Sequence, residues 1–238
     1  MQVEGCVAFV TGANRGLGAS FVDKLLEQGA RKVYAGARNI RVLDSRDARV
    51  VPVELDITEP EQVVQAAILA GDTTLLVNNA GINRLEPMLA ANDHDAARAE
   101  MEVNYFGTLN MIRAFAPALQ RSRGAIVNVS SILARVALPS MASLCASKAA
   151  GLRMTEGVRA ELAPHGVRVL SILPGAIDTD MSRDFPPPKI SAAEVVEIAL
   201  AALTEGVDEV YVGAMAQQIA AALAADRQAV QASLAGRA

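Results

Sequence analysis

An α/β fold built on a doubly wound, seven-stranded parallel sheet is what the sequence predicts, and three observations carry that reading. Short apolar runs of strand length alternate with longer helical patterns along the whole chain. Several of those runs are apolar throughout, as strands covered on both faces should be. A glycine-rich turn directly follows the first run and opens a helix, the arrangement that begins a βαβ unit. The length of 238 residues is in the range of one large domain, and with no linker or internal repeat visible, residues 1–238 read as a single unit.

The predicted strands are Cys6–Thr11, Lys32–Ala37, Val50–Leu55, Thr74–Asn78, Ala125–Ser130, Val167–Leu173 and Val210–Val212. Between them the spacing predicts helices over Gly18–Gln28, Glu59–Ala70, Asp93–Gln120, Ser143–Ala163 and Ser191–Thr204, with a final helix over Met215–Leu234. One loop stands out as irregular. Across Asp178–Lys189 the run Pro186-Pro187-Pro188 forbids a helix and favours an extended segment, a candidate lid.

Composition narrows the function classes. Aromatic residues make up 3% and the net charge is −4, which argues against stacking platforms for nucleic acid and against wrapping phosphates on an open surface. No apolar run reaches the ~18 residues a membrane span needs, and the first ten residues lack a basic start and a cleavage site, so the expectation is a cytoplasmic protein. Cys6 and Cys145 form no C-x-x-C pair and read as reduced thiols. The two histidines, His94 and His165, are far apart and offer nothing to a zinc site or a histidine triad. A small-molecule partner is what remains.

The chemistry begins at Thr11-Gly12-Ala13-Asn14-Arg15-Gly16-Leu17-Gly18. Glycines let the backbone approach a pyrophosphate, and the free N–H groups of a helix start attract its charge. The T-G-x-x-x-G-x-G spacing resembles the cofactor turn of the short-chain dehydrogenase/reductase family. Asn78-Asn79-Ala80-Gly81, Asn104 within Val103-Asn104-Tyr105-Phe106-Gly107, and Pro174-Gly175 match further motifs of that family in the same order, so the resemblance covers nearly the whole chain. It implies a single-domain Rossmann fold that binds a nicotinamide dinucleotide and moves a hydride between it and a carbonyl or alcohol carbon. It also implies that Asp56, followed by Ile57, meets the adenine, that Asn79 lines the ribose, and that Ile177 and Thr179 meet the carboxamide and phosphates. The choice between the two dinucleotides follows from charge. Where an acidic residue would grip a ribose 2′-hydroxyl, this chain has Ala37 followed by Arg38, with Arg15 in the glycine turn, so NADP(H) is expected.

In such enzymes a tyrosine supplies the proton, a serine polarises the carbonyl, and a lysine four residues after the tyrosine lowers its pKa and holds the ribose. By resemblance Lys148, Ser131 and Asn104 fill three of the four positions. Counting back four residues from Lys148 lands on Leu144, which has no proton to exchange. An efficient reductase therefore needs another donor, and Ser147, one helical turn from position 144, or a water held by Ser131 and Lys148, is the geometrically better substitute than Cys145. Ile132, Leu133, Leu138, Leu144, Met181 and Phe185 would line a largely apolar substrate pocket by family geometry, with Arg135 either selecting an anion or simply solvated. The helices over 93–120 and 143–163 resemble the pair through which relatives form dimers and tetramers, so a homo-oligomer is expected. Two functions compete: an oxidoreductase, altered by Leu144 as an engineered variant or as an atypical natural member, and an NADPH-binding sensor or scaffold without turnover.

Overall fold

A computed structural model describes residues 1–43, 47–89 and 93–236. The first strand, β1 (Val7–Thr11), shows why the sheet is covered twice: Val7 and Phe9 join one buried cluster, while Ala8 and Val10 join the other. Successive side chains of a strand point to opposite faces, so a run that is apolar at every position demands helices on both sides. The chain then runs through α1 (Gly16–Glu27), β2 (Lys32–Ala37), β3 (Val50–Glu54), α2 (Pro60–Leu69), β4 (Leu75–Asn78), α3 (Asp95–Met101), α4 (Thr108–Ser122), β5 (Ala125–Val129), α5 (Ala142–Leu162) and β6 (Arg168–Pro174). It finishes with β7 (Ile177–Asp178), β8 (Ile190–Ser191), α6 (Ala192–Glu205), β9 (Glu209–Val212), α7 (Ala214–Ala225) and α8 (Arg227–Leu234).

Seven strands pair in parallel in the order β3-β2-β1-β4-β5-β6-β9. Phe21 and Leu25 of α1 and Val195, Val196 and Leu200 of α6 fill one face of this sheet. Met111, Phe115 and Leu119 of α4, Val63 of α2 and Leu162 of α5 fill the other. From β1 the chain steps outward to β2 and β3, then returns to place β4 on the other side of β1. That reversal opens a crevice between the carboxyl ends of β1 and β4, where the glycine turn and the Asn79–Gly81 segment both lie. The outermost strand β3 carries Pro52 in its centre, which an edge tolerates because only one side of the strand needs its hydrogen bonds.

Two predicted helices are interrupted. The stretch predicted as one helix over Asp93–Gln120 is α3, a π-helical turn over Glu102–Gly107, and α4. Widened turns of this kind recur at functional sites, and this one contains Asn104. The predicted C-terminal helix breaks at Asp226, whose carboxylate accepts hydrogen bonds from Gln228 N (2.9 Å) and Ala229 N (3.0 Å) and so starts α8. The remaining strand limits agree to within a residue. The β7–β8 pair has only two residues per strand and no periodic signature to betray it.

The aromatic contact between α4 and the sheet yields a test. Phe115 is fully buried, its ring centroid 4.8 Å from that of Phe9. Phe115→Ala should cost about 3–5 kcal/mol, read as a lower urea midpoint with an unchanged slope. A loss below about 1 kcal/mol would show that this face of the sheet is not closely packed.

Candidate active site

Thr11 ends β1 with its hydroxyl turned into the crevice. Its Oγ1 donates to Val77 O (3.3 Å) and accepts from Asn79 N and Ala80 N (3.0 Å each). Asn79 answers from the other side, its Nδ2 donating to Thr11 O (2.9 Å) and Gly12 O (3.2 Å). The glycine turn is thus laced to the segment after β4. Close approach explains its composition: Gly12 has φ +64°, and a Cβ on Gly18 would stand 2.1 Å from Gly12 O. At the start of α1 no side chain caps the helix and no acidic residue lies in its first turn, so its leading N–H groups face the crevice unneutralised.

Asn79, Ala80 and Thr179 touch this turn, whereas other predicted cofactor residues are engaged elsewhere. Asn14 is half-buried and Leu17 is buried beneath the turn. Ala80 Cα is 3.1 Å from the position of a Cβ on Gly12, and Thr179 Cγ2 is 3.3 Å from that of one on Gly16, so the start of the candidate lid touches the turn. Arg38 is exposed just past the end of β2, and Ala37 is buried. Arg15, expected to converge with Arg38, instead pairs with Asp180 at 3.1 Å, and Arg183 holds the other oxygen of that carboxylate at 2.6 Å. Asp56 spends Oδ1 on Thr58 N (3.0 Å) and Thr58 Oγ1 (2.7 Å), a local turn. Ile57 is buried against Gly107, where any Cβ would approach Ile57 Cγ1 to 2.7 Å. Lys189 Nζ donates to Ser182 O and Arg183 O, tying the candidate lid to itself. Ile177, in β7, is half-buried and Gly175 follows Pro174 at the end of β6.

Asn104, Ser131 and Lys148 come to the same end of the sheet. Asn104 is buried, accepts from Ile82 N (2.9 Å) and donates to Ile82 O (3.0 Å), fixing the chain just past Gly81. Ser131 Oγ accepts from Leu133 N (3.1 Å) and reaches Pro174 O at 3.5 Å. Lys148 Nζ donates to Val129 O (3.0 Å), and burial alone lowers its ammonium to about 8. Leu144 lies one helical turn before Lys148 and is only 6% exposed, so the slot does not open widely on a cavity as family geometry suggested. Ser147, the preferred substitute donor, is fully buried and committed: it donates to Leu144 O (2.9 Å) and accepts from Asn104 Nδ2 (3.0 Å). Cys145 Sγ accepts from Leu138 N, and burial raises its thiol pKa. Arg135 is neither an anion selector nor solvated, since Glu209 grips it at 2.6 and 2.8 Å. No tyrosine compensates. Tyr34 bonds Asp72 and Lys32, Tyr211 lies beside the Arg135–Glu209 pair, and Tyr105 packs edge-on against Phe106.

Comparison with known proteins identifies the family. Residues 6–189 match the short chain dehydrogenase family. The chain belongs to the short-chain dehydrogenases. Its fold superposes on a short chain dehydrogenase from Burkholderia cenocepacia J2315 in complex with NADP, with a TM-score of 0.96, 69% identity and coverage of 98% of this chain and 99% of the other. An uncharacterized oxidoreductase of Staphylococcus saprophyticus is 34% identical over 220 residues, covering 86% of this chain and 94% of that protein. The NADPH-dependent 1-acyldihydroxyacetone phosphate reductase of Saccharomyces cerevisiae is 34% identical over 196 residues, covering 78% of this chain and 65% of that enzyme. Among the described residues of this dehydrogenase no helix is long and apolar enough to cross a membrane.

Two features of the site escaped the sequence reading. Asn78 Nδ2 donates to Asn128 Oδ1 (2.8 Å), and Asn128 Nδ2 to Thr155 Oγ1 (2.9 Å), a buried chain from β4 through β5 to α5. Glu100 is fully buried and accepts from Arg84 N (2.7 Å), supporting the same segment as Asn104. A surface concavity of about 770 Å³ lies between β3 and α2 and contains none of the predicted site residues. An asparagine in a strand and a glutamate in a helix carry no local sign of these partners. The hydroxyl of Thr11 is the most exposed to test. Thr11→Val keeps the shape and removes the acceptor of two backbone donors, which should cost about 1–3 kcal/mol for each donor left unpaired, whereas Thr11→Ser should lose far less. Equal urea midpoints for the two variants would show that the lacing does not depend on the hydroxyl.

Proposed function

We propose that this short-chain dehydrogenase is an NADP(H)-dependent oxidoreductase acting on a largely apolar carbonyl or alcohol, with slow turnover because Leu144 stands in the tyrosine position. The observation that carries the reading is the glycine turn laced to the Asn79–Gly81 segment at the crevice between β1 and β4, with Lys148 Nζ 3.6 Å from the position of a Cβ on Gly81. The residues present suit a phosphate-bearing dinucleotide: uncapped N–H groups at the start of α1, glycines that leave room for a close backbone approach, and no acidic residue at the end of β2. The Burkholderia neighbour was solved with NADP and the yeast relative is NADPH-dependent, which supports the same choice.

When bound, NADP(H) supplies or accepts the hydride. This chain's part is to orient and to manage the proton. Gly12, Gly16, Gly18 and the α1 terminus would seat the pyrophosphate, and Arg38 with Arg15 would pair the 2′-phosphate once Arg15 leaves Asp180. Asn79, Ala80 and Gly81 would shape the ribose wall, with Asp56 and Ile57 toward the adenine. Pro174, Gly175, Ile177 and Thr179 would meet the nicotinamide side. Lys148 would hold the ribose hydroxyls, and Ser131 would polarise the carbonyl oxygen. Asn104 acts through position, anchoring Ile82 and so the wall behind Gly81. The second reading, an NADPH-binding sensor without turnover, is favoured by one observation: position 144 cannot exchange a proton and all three tyrosines are placed elsewhere.

Two outcomes test this. NADPH should bind much more tightly than NADH by nicotinamide fluorescence titration, and Ala37→Asp combined with Arg38→Ala should reverse the order; equal affinities in the parent would refute the assignment. Leu144→Tyr should raise ketone reduction by about 10²–10⁴ in kcat without tightening NADPH binding. Because Leu144 is nearly sealed, the ring should also lower stability by about 1–3 kcal/mol. A tyrosine variant that binds NADPH and ketone yet gains no rate would leave the sensor reading standing.

A further inference from the structure

Resting on the NADP(H) reading above, we propose that Asp180 is a specificity-determining residue of this chain: its carboxylate competes with the 2′-phosphate of NADP(H) for the guanidinium of Arg15.

The ion pair spans two separate parts of the chain. Arg15 Nη1 stands 3.1 Å from Asp180 Oδ2, joining the glycine turn to the start of the candidate lid across 165 positions of sequence. Asp180 opens a single 3-10 turn over Asp180–Ser182, and the last residue of that turn is tied down: Ser182 is buried, its hydroxyl donates to Ile177 O, and its carbonyl accepts from Lys189 Nζ (2.6 Å). Thr179, just before it, packs on the glycine turn, with Cγ2 3.3 Å from the position of a Cβ on Gly16. Both flanks of Asp180 are thus anchored, and the fold sets its carboxylate beside Arg15.

The partners of Asp180 are arranged so that one of them can leave. Oδ1 takes Arg183 Nη2 at 2.6 Å and Oδ2 takes Arg15, one guanidinium for each oxygen. Arg183 is three residues further along the same segment, so its hold does not depend on the glycine turn. Both arginines keep the carboxyl below its ordinary pKa, Arg183 more strongly than Arg15, so it is ionised at neutral pH. When Arg15 departs, the carboxylate keeps its nearer partner. All three side chains are at least half exposed, so the departure leaves no charge stranded away from water.

Arg15 gains by the exchange. A carboxylate already shared with Arg183 is a poorer partner than a phosphate monoester, which carries about −1.5 to −2 charge at pH 7 and offers three acceptor oxygens to a planar guanidinium. A ribose 2′-hydroxyl has no such charge, so with NADH Arg15 stays on Asp180. The carboxylate therefore lowers affinity for NADPH and leaves that for NADH nearly untouched. Its effect is bounded by what an exposed ion pair contributes, about 1.5- to 5-fold in an equilibrium constant. Dinucleotide choice in this chain is set from the lid as well as from the end of β2.

The test measures dissociation constants of NADPH and NADH by nicotinamide fluorescence on the intact chain at about 0.15 M salt, where exposed charges more than about 8 Å apart are largely screened. Asp180→Asn keeps the shape and removes the charge, so NADPH should bind about two- to fivefold more tightly while NADH stays within about 1.5-fold of the parent. Arg15→Ala should weaken NADPH about tenfold. Adding Asp180→Asn to Arg15→Ala should then change neither cofactor, since no guanidinium is left to release; a long-range effect of the carboxylate on the phosphate would persist there. An unchanged NADPH constant in Asp180→Asn, an equal gain for NADH, a gain that survives without Arg15, or an Arg15→Ala variant that binds NADPH as the parent does would overturn the inference while leaving the oxidoreductase reading intact. Equal affinity of the parent for the two cofactors would overturn the NADP(H) reading and this inference with it.

Discussion

A hydroxyl group has one proton and two lone pairs, and Thr11 uses all three across the crevice between β1 and β4. Without that knot the glycine turn would be tied to its neighbour only through the Asn79 amide. The sheet makes the knot possible, because the chain reverses direction at β1 and leaves β4 as its unshielded neighbour at the carboxyl end. Everything proposed for the cofactor depends on this geometry, since uncapped N–H groups can seat an anion only if the turn in front of them holds still.

A second set of buried polar bonds sets the catalytic side. The Asn78–Asn128–Thr155 chain binds α5 to β4 and β5, while Asn104 and Glu100 hold Ile82 and Arg84 from the far wall. These bonds leave Asn78 Oδ1 and Glu100 Oε2 without partners, yet they join β4, β5 and α5, of which β5 leads into Ser131 and α5 carries Lys148. The Arg135–Glu209 pair adds a clamp from the Ser131 loop to the last strand. The groups that position the site, Asn78, Glu100, Asn104, Asn128 and Thr155, therefore belong to the buried core.

Much of this was legible in the residues. The five inner strands of the main sheet showed as apolar runs because each is buried on both faces, and Gly12, Gly16 and Gly18 declared a turn by their spacing between a strand and a helix. The π turn at Asn104 was not legible, since its helical periodicity differs from that of α3 and α4 by a single residue. Asp226 is of a residue type that starts helices, but it lies inside an otherwise continuous helical pattern that hides the break. The partners of Arg15, Arg135 and Ser147 depended on residues 165, 74 and 43 positions away, beyond any local pattern.

The proline in the outermost strand has a consequence for the life of the protein in a crowded solution. A strand of another molecule approaching β3 would find a rung missing where Pro52 has no N–H to offer. Open sheet borders invite indiscriminate pairing, and a proline there works as a guard that costs the native ladder little. This border of the sheet is therefore kept from growing by strand addition.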